Sequence, residues 1–204
     1  MTDSASSEQW LLISVSTSGS AGSLRVQVWR KLKSLGALYL QQSVCLLPDR
    51  PPLQSQVRRL AARVHAHGGT ARVLSMSFTD PDEEQAVIGE FNTARDIEYA
   101  EIVDRLPDLH AELDQELARG NATYAEVEES EADLDRYRAW LAKIAARDYF
   151  TAPGRQLAHD AVDRAAAALA AFEHAALTAD TTADTTTGTG TGTGTEGLRI
   201  VDRS

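Results

Sequence analysis

The chain has 204 residues, of which 43% are hydrophobic and 25% are charged, and these ordinary globular proportions exclude a fully disordered or fibrous protein. Its formal charge of −10 is unevenly spread: residues 1–79 hold nine Lys and Arg against three Asp and Glu, whereas residues 80–204 hold eleven against twenty-seven. A basic first half favours a polyanionic partner. The single cysteine excludes an internal disulfide. Because neither a signal-peptide pattern nor an apolar run of about 20 residues occurs, we expect a cytoplasmic location without membrane contact.

The first half of the chain alternates between apolar runs of strand length and amphipathic helical patterns. After a polar N-terminus, residues 1–9, which we expect to be disordered, WLLISV predicts a strand that is buried on both faces. Ser23 is suited to cap the first helix and Gly36 to end it. The expected elements are a strand at 10–15, a helix at 24–35, hairpin strands at 37–40 and 43–47, a helix at 53–66 and a strand at 71–78. This β-α-β-β-α-β order, with both helices on one face of an antiparallel sheet, predicts a ferredoxin-like α+β domain over residues 10–79.

At Asp80 the composition changes to Ala, Glu, Asp and Arg, with few β-branched residues. Asp80 is suited to cap a helix and Pro81 to occupy its first position. Residues 80–177 therefore predict an acidic, antiparallel helical region of about four helices, with breaks at Pro107, Gly120-Asn121 and 151–154. Residues 178–204 form a Thr/Gly-rich tract without core-forming side chains, and we expect a disordered tail.

The first predicted helix concentrates positive charge. Its apolar stripe of Leu24, Val28, Leu32 and Leu35 leaves the basic residues and one tryptophan on the neighbouring face. One interpretation is a patch that contacts phosphates, with an indole available for stacking. The alternative is a solvated helix face whose tryptophan packs on the sheet edge. Arginines of the second helix either widen the patch or are ordinary surface residues. The candidate DNA-binding residues are Arg25, Trp29, Arg30, Lys31, Lys33, Arg58 and Arg59, with Arg63 beside them.

Other polar residues favour structural roles. The segment from Arg95 to Glu101 suggests either an oxyanion or metal site or simple i,i+3 and i,i+4 pairs, and we favour the pairs. Arg155 is suited either to bind an anion at a helix N-terminus or to fix the turn there, and we favour the turn. Cys45 is expected to be buried and inert. No two of the five histidines have zinc-ligand spacing, and no phosphate-binding loop or serine elbow occurs. We therefore expect neither an enzyme, nor a metal site, nor a cofactor.

Three blocks carry a family resemblance: SLRVQVWRKLKSLGALYLQQSVCLLP from Ser23, EFNTARDIEYAEI from Glu90 and RDYFTAPGRQ from Arg147. Together and in this order they resemble the N-terminal domain of the ChrB family of chromate resistance regulators, over roughly Trp10 to Leu177. The resemblance implies control of an efflux operon, with DNA contacted through the basic stretch. The Thr/Gly tail stands where the family has a second domain, and the arginines of the helical half are scattered among acidic residues. We therefore expect this chain not to respond to chromate.

These observations predict a non-enzymatic transcriptional regulator of the ChrB type that binds duplex promoter or operator DNA as a homodimer. The alternative is a structural or partner-binding module that does not bind nucleic acid. The basic helix favours the regulator, whereas the net charge and the tail in place of a second domain favour the alternative.

Overall fold

The computed structural model describes residues 8–17 and 22–187, with side chains up to residue 178. It confirms the predicted α+β class, because the described chain contains a four-stranded antiparallel sheet and five helices. The elements are β1 (Trp10–Ser16), α1 (Gly22–Ser34), β2 (Leu38–Gln41), β3 (Val44–Pro48), α2 (Pro51–Ala66), β4 (Thr70–Met76), α3 (Pro81–Ala118), α4 (Tyr124–Ala145) and α5 (Arg155–Thr187).

The sheet has the strand order β2-β3-β1-β4, and β1 pairs antiparallel with both of its neighbours. Because successive strand residues point to opposite faces, Leu11 and Ile13 join the core formed with α1 and α2. Trp10 points to the other face and packs with Val87 and Phe91 at the start of α3. The prediction that β1 is buried on both faces is confirmed.

Helices α1 and α2 share one face of the sheet as predicted, and the start of α3 covers the second face, for which the sequence predicted no helix. The indole ring of Trp10 lies 5.7 Å from Phe91 and 5.5 Å from Phe150, centroid to centroid. Its N–H donates to the buried carboxylate of Glu84 at 2.9 Å. An aromatic side chain of this size requires cover, and α3 supplies both the apolar surface and the hydrogen-bond acceptor.

Helix α1 begins and ends close to its predicted bounds. Leu24, Val28 and Leu32 are buried as predicted, and Gly36 follows the helix with φ 72°, the left-handed conformation expected there. The helix begins at Gly22, so Ser23 lies in its first turn and is not the predicted cap.

The helical region contains three long helices instead of about four. The predicted break at Pro107 is wrong, because α3 continues through the proline to Ala118. A proline inside a helix costs about 3 kcal/mol, but the neighbouring Leu106 and Leu109 are buried, and packing of this kind stabilises a helix more than local propensity does. The breaks at Gly120-Asn121 and 151–154 are observed between α3, α4 and α5.

The predicted disordered ends are only partly covered by the described residues. At the N-terminus, the main-chain oxygen of Gln9 accepts a hydrogen bond from the N–H of Asp49 at 2.6 Å, and residues 1–7 lie outside the described part.

At the C-terminal end, α5 continues to Thr187, ten residues into the predicted disordered tail. The sequence there contains Ala, Asp and Thr and no glycine before Gly188, and glycine is the residue that disfavours a helix most after proline. Residues 188–204 lie outside the described part.

The described chain divides into two compact units. The first contains the residues up to Leu106 together with Arg136–Val162, and the second contains Pro107–Asp135 with the residues from Asp163 onward. This division differs from the predicted boundary at Asp80, because the start of α3 and the segment after α4 pack with the sheet in the first unit.

Candidate nucleic-acid interface

The basic residues of α1 face away from its buried stripe. Since Leu24, Val28 and Leu32 point into the core, the opposite side of the helix is left to solvent. Trp29 remains 47% exposed there, and the ammonium of Lys33, one turn along, lies 5.1 Å from the centroid of its ring. Such an exposed cation–π contact contributes about 0.5–1 kcal/mol. The indole is therefore available at the surface and not buried against the sheet edge.

A groove of ≈ 730 Å³ lies beside this face, within the first unit. Its walls are the second half of α1, the start of α2 and the end of α4, and the buried side chains of Leu35 and Leu53 are part of its lining. We call it the basic groove, because six of its fourteen lining residues are Lys or Arg and none is Asp or Glu. The six are Arg30, Lys31, Lys33, Arg50, Lys143 and Arg147.

Half of these cations have a polar contact that fixes them. Lys31 donates to Gln56 Oε1 at 2.6 Å, and Arg50 donates to the main-chain oxygen of Tyr149 at 2.9 Å. The guanidinium of Arg147 donates to Glu98 Oε2 at 2.6 Å.

The other three cations are different. Within the described residues, no carboxylate pairs with Arg30, Lys33 or Lys143. The basic groove therefore presents uncompensated positive charge to solvent, which is the electrostatic character of a polyanion site.

Two smaller grooves are lined by Arg25, Arg59 and Arg63. Arg25 donates to Thr17 Oγ1 at 3.3 Å and lines a groove of ≈ 580 Å³, which also has Trp29 in its wall. Arg59 and Arg63 line a third groove of ≈ 220 Å³ between α1 and α2, and this groove shares Lys31 with the basic groove.

The predicted candidates thus fall into three groups. Trp29, Arg30, Lys31 and Lys33 share the basic groove, whereas Arg25 and Arg59 border it on two sides. Arg58 is exposed on α2 and lines none of these three grooves.

Arg50, Lys143 and Arg147 line the basic groove but were not among the predicted candidates. Arg147 opens the third block of the family resemblance, which was a usable signal. Lys143 lies in the last turn of α4, 110 residues after Lys33, and no local pattern in the sequence relates the two. Their proximity is a property of the tertiary structure.

One carboxylate positions the α4 side of the groove. Glu98 accepts from Arg95 at 2.7 Å and from Arg147 at 2.6 Å, and we call this arrangement the Glu98 bridge. The Arg95–Glu98 pair is the predicted i,i+3 pair, but it is a largely buried pair that a second arginine completes. Burial lowers the pKa of Arg95, Glu98 opposes that shift and the nearby Arg147 adds to it. The expectation that Arg95 and Arg147 are scattered is therefore wrong, although the ligand on which they converge is a protein carboxylate.

The three blocks of the family resemblance meet at this bridge. A side chain on Gly36, at the end of the first block, would begin 2.8 Å from Arg95 Nη1 and 3.1 Å from Arg147 Cβ. In the third block, the hydroxyl of Tyr149 donates to the main-chain oxygen of Leu35 at 2.6 Å. These contacts fix the end of α1 against the segment that follows α4.

A buried hydrogen bond completes the junction. The hydroxyl of Tyr99 donates to Asp148 Oδ2 at 3.0 Å, and burial, followed by this hydrogen bond, raises the pKa of Tyr99 to about 12. Asp148 Oδ1 also accepts from the N–H of Ala152 at 2.9 Å. Arg155 opens α5 with its guanidinium 3.7 Å from the same carboxylate, so residues of the second and third blocks hold the helices in place.

The second unit carries the opposite charge. Its cleft of ≈ 200 Å³ has an apolar side that includes Leu109, Leu113 and Phe172. Its acidic lining residues are Glu112, Glu116, Glu126, Glu129 and Asp133. In the part of the chain that the structure describes, no three His, Cys, Asp or Glu side chains are arranged to hold a metal ion. Among the described helices, none combines the length and the apolar character that a membrane span needs.

Comparison with known proteins identifies the class to which this groove and fold belong. A family model described as "Protein ChrB, N-terminal" matches residues 25–182, and the chain belongs to that family. The matched range includes all three walls of the basic groove and the Glu98 bridge.

A curated relative agrees with this family. The chain is 32% identical over 122 residues to Protein ChrB of Cupriavidus metallidurans (strain ATCC 43123 / DSM 2839 / NBRC 102507 / CH34). The aligned part is 60% of this chain and 34% of the relative, so the chain spans about a third of the length of that protein. No solved structure matches the chain.

Proposed function

We propose that this chain is a non-enzymatic, ChrB-type transcriptional regulator that binds duplex DNA through α1. The observation that carries the proposal is the basic groove, where six cations and no carboxylate line one cavity of a protein with a net charge of −10. A surface of this kind neutralises backbone phosphates and releases their counterions, which is the main source of sequence-independent affinity for DNA. Membership of the ChrB N-terminal family supports an association with chromate resistance.

The arrangement of the first unit supports a ferredoxin-like domain as the DNA-binding scaffold. The β-α-β-β-α-β order and the strand order β2-β3-β1-β4 agree with that arrangement. We further propose that the protein acts in the cytoplasm as a homodimer, because operators with two-fold symmetry are usually read by symmetric dimers.

Fluorescence anisotropy with a labelled duplex, titrated at several salt concentrations, tests the proposal. If the four cations Arg25, Arg30, Lys31 and Lys33 each neutralise one phosphate, the dissociation constant rises about 150-fold between about 50 and about 200 mM salt. Replacing Arg25, Arg30 and Lys33 together by alanine should abolish the binding while the circular dichroism spectrum stays unchanged.

A charge-matched variant controls for the loss of net positive charge. Arg72, Arg119 and Arg164 are exposed and lie outside the three grooves of the first unit, so replacing them by alanine removes the same charge and should leave the affinity within about twofold. If the unmodified chain binds no duplex even at low salt, the regulator proposal fails and the partner-binding module takes its place.

A further inference from the structure

The geometry points to a composite DNA site, in which the end of α4 contacts the phosphate backbone together with α1, and Lys143 is the contact residue that α4 contributes. This inference rests on the proposed function and deepens it. The sequence alone limited the site to the first 79 residues, because the remainder of the chain has an excess of sixteen negative charges. The end of α4 is an exception within that acidic part.

The position of Lys143 is the first argument. It lies in the last turn of α4, it is exposed, and it lines the same groove as Arg30 and Lys33. No carboxylate pairs with it among the described residues. A lysine there also lies at the negative end of the helix dipole, where a cation is favourable.

The rigidity of this wall is the second argument. Arg147, one turn after Lys143, donates from Nε to the main-chain oxygen of Lys143 at 3.0 Å and from both terminal nitrogens to Glu98 at 2.6 and 3.3 Å. The hydroxyl of Tyr149 then holds the segment to Leu35, the residue that directly follows α1. Because these contacts fix the α4 wall with respect to α1, both can contact one DNA backbone without a prior rearrangement, and less affinity is lost to ordering.

The chemistry of the groove selects the partner. Its cations lie on different elements, with Arg30 and Lys33 on α1 and Lys143 on α4, and the buried Leu35 and Leu53 are part of its lining. Separate positive charges along an open channel suit a chain of phosphates, whereas a single small anion needs several donors that converge on one point. We infer that one strand of the duplex backbone lies along the groove, with Trp29 at its edge.

Salt-dependent anisotropy with the Lys143→Ala variant of the full chain tests the composite site. Loss of one phosphate contact should reduce the magnitude of the slope of log K against log salt by about 0.9 and weaken binding by up to about eightfold at about 100 mM salt. Lys143→Arg should restore both quantities. Arg72→Ala is the matched control. Arg72 lies on edge strand β4, where Ala71 and Val73 point to the face covered by α1 and α2. Because successive strand residues alternate, Arg72 points to the other face of the sheet and does not line the basic groove.

Photo-crosslinking gives a second readout that does not depend on affinity. Lys143→Cys, labelled with benzophenone maleimide, should crosslink to the duplex, whereas Arg72→Cys with the same label should not. The native Cys45 does not interfere, since it is 1% exposed and burial raises the pKa of its thiol to about 12.

The two proposals fail in different ways. If the unmodified chain binds duplex DNA and the triple α1 variant abolishes binding, but Lys143→Ala keeps the full salt slope and Lys143→Cys gives no crosslink, the composite site is refuted and DNA binding stands. If the unmodified chain binds no duplex, the proposed function itself fails.

Discussion

The Glu98 bridge predicts a large difference between two identical substitutions in one helix. Glu98→Gln keeps the size of the side chain and one acceptor oxygen, but it removes the charge that holds two arginines. The side chains of Arg95 and Arg147 are only 10% and 17% exposed, so the substitution leaves two like charges near each other in a poorly solvated place. Glu101→Gln, one turn along α3, breaks the pair with Arg105, whose side chains are 48% and 58% exposed.

The magnitudes follow from burial. Breaking a fully buried ion pair from one side costs about 3–5 kcal/mol. Because Glu98 is 25% exposed, water compensates part of this cost, and we expect a loss of about 2–3 kcal/mol. The exposed helical pair contributes about 0.3–0.5 kcal/mol. Urea unfolding of the two variants, followed by tryptophan fluorescence, measures both changes in the free energy of unfolding.

The salt dependence of the same measurement separates the two pairs further. Added salt screens the exposed Glu101 pair more strongly than the buried one, so the effect of Glu101→Gln should vanish at about 1 M salt while most of the effect of Glu98→Gln persists. Equal destabilisation by the two substitutions at low salt would refute the reasoning, because it would mean that Glu98 does not hold Arg95 and Arg147 in a poorly solvated site.

Two further predictions concern Gly36 and alkaline pH. Gly36→Ala and Gly68→Ala both place a methyl group at positive φ, 72° and 78°, which costs about 1–2 kcal/mol, but only the methyl group at Gly36 meets Arg95 and Arg147. Urea unfolding should therefore show a loss in the free energy of unfolding that is larger for Gly36→Ala by about 1–3 kcal/mol. Equal losses would contradict the packing described at Gly36. Burial raises the pKa of Cys45 to about 12, whereas the thiol of the unfolded chain has a pKa of about 8.5. Above about pH 8.5 the unfolded chain therefore loses a proton that the folded chain keeps, and the free energy of unfolding falls. The urea concentration at the unfolding midpoint should therefore be lower at pH 10 than at pH 8, and this decrease should be smaller in Cys45→Ala. If the midpoints of the two proteins differ by the same amount at both pH values, the fold does not hold the thiol neutral.

The strands and the first two helices were predictable because their patterns are local. The stripe of Leu24, Val28 and Leu32 is sufficient to orient α1, and the continuous apolar run in WLLISV is sufficient to predict a strand that is buried on both faces. The break at Pro107 was mispredicted for the opposite reason, because the burial of Leu106 and Leu109 is decided by residues that are distant in sequence.

The candidate site was predictable only on its α1 side. Four of the seven predicted residues share the basic groove because helical periodicity places them together. Lys143 could not be assigned to it, since its environment depends on where α4 ends with respect to the sheet. The role of Glu98 was hidden as well: its i,i+3 partner Arg95 was visible in the sequence, but the second partner lies 49 residues away.

The three tryptophans give the protein distinct spectroscopic reporters. Trp10 is fully buried in an aromatic cluster, Trp140 stacks on Tyr137 at an interplanar angle of 24°, and Trp29 is half exposed between two grooves. A neutral quencher such as acrylamide therefore reaches the indole of Trp29 far more readily than that of Trp10. Trp29 lies at the edge of the basic groove, so a ligand in the groove should reduce the quenching of its emission by acrylamide. Unfolding of the core should instead increase the quenching of Trp10, which is buried in the folded protein.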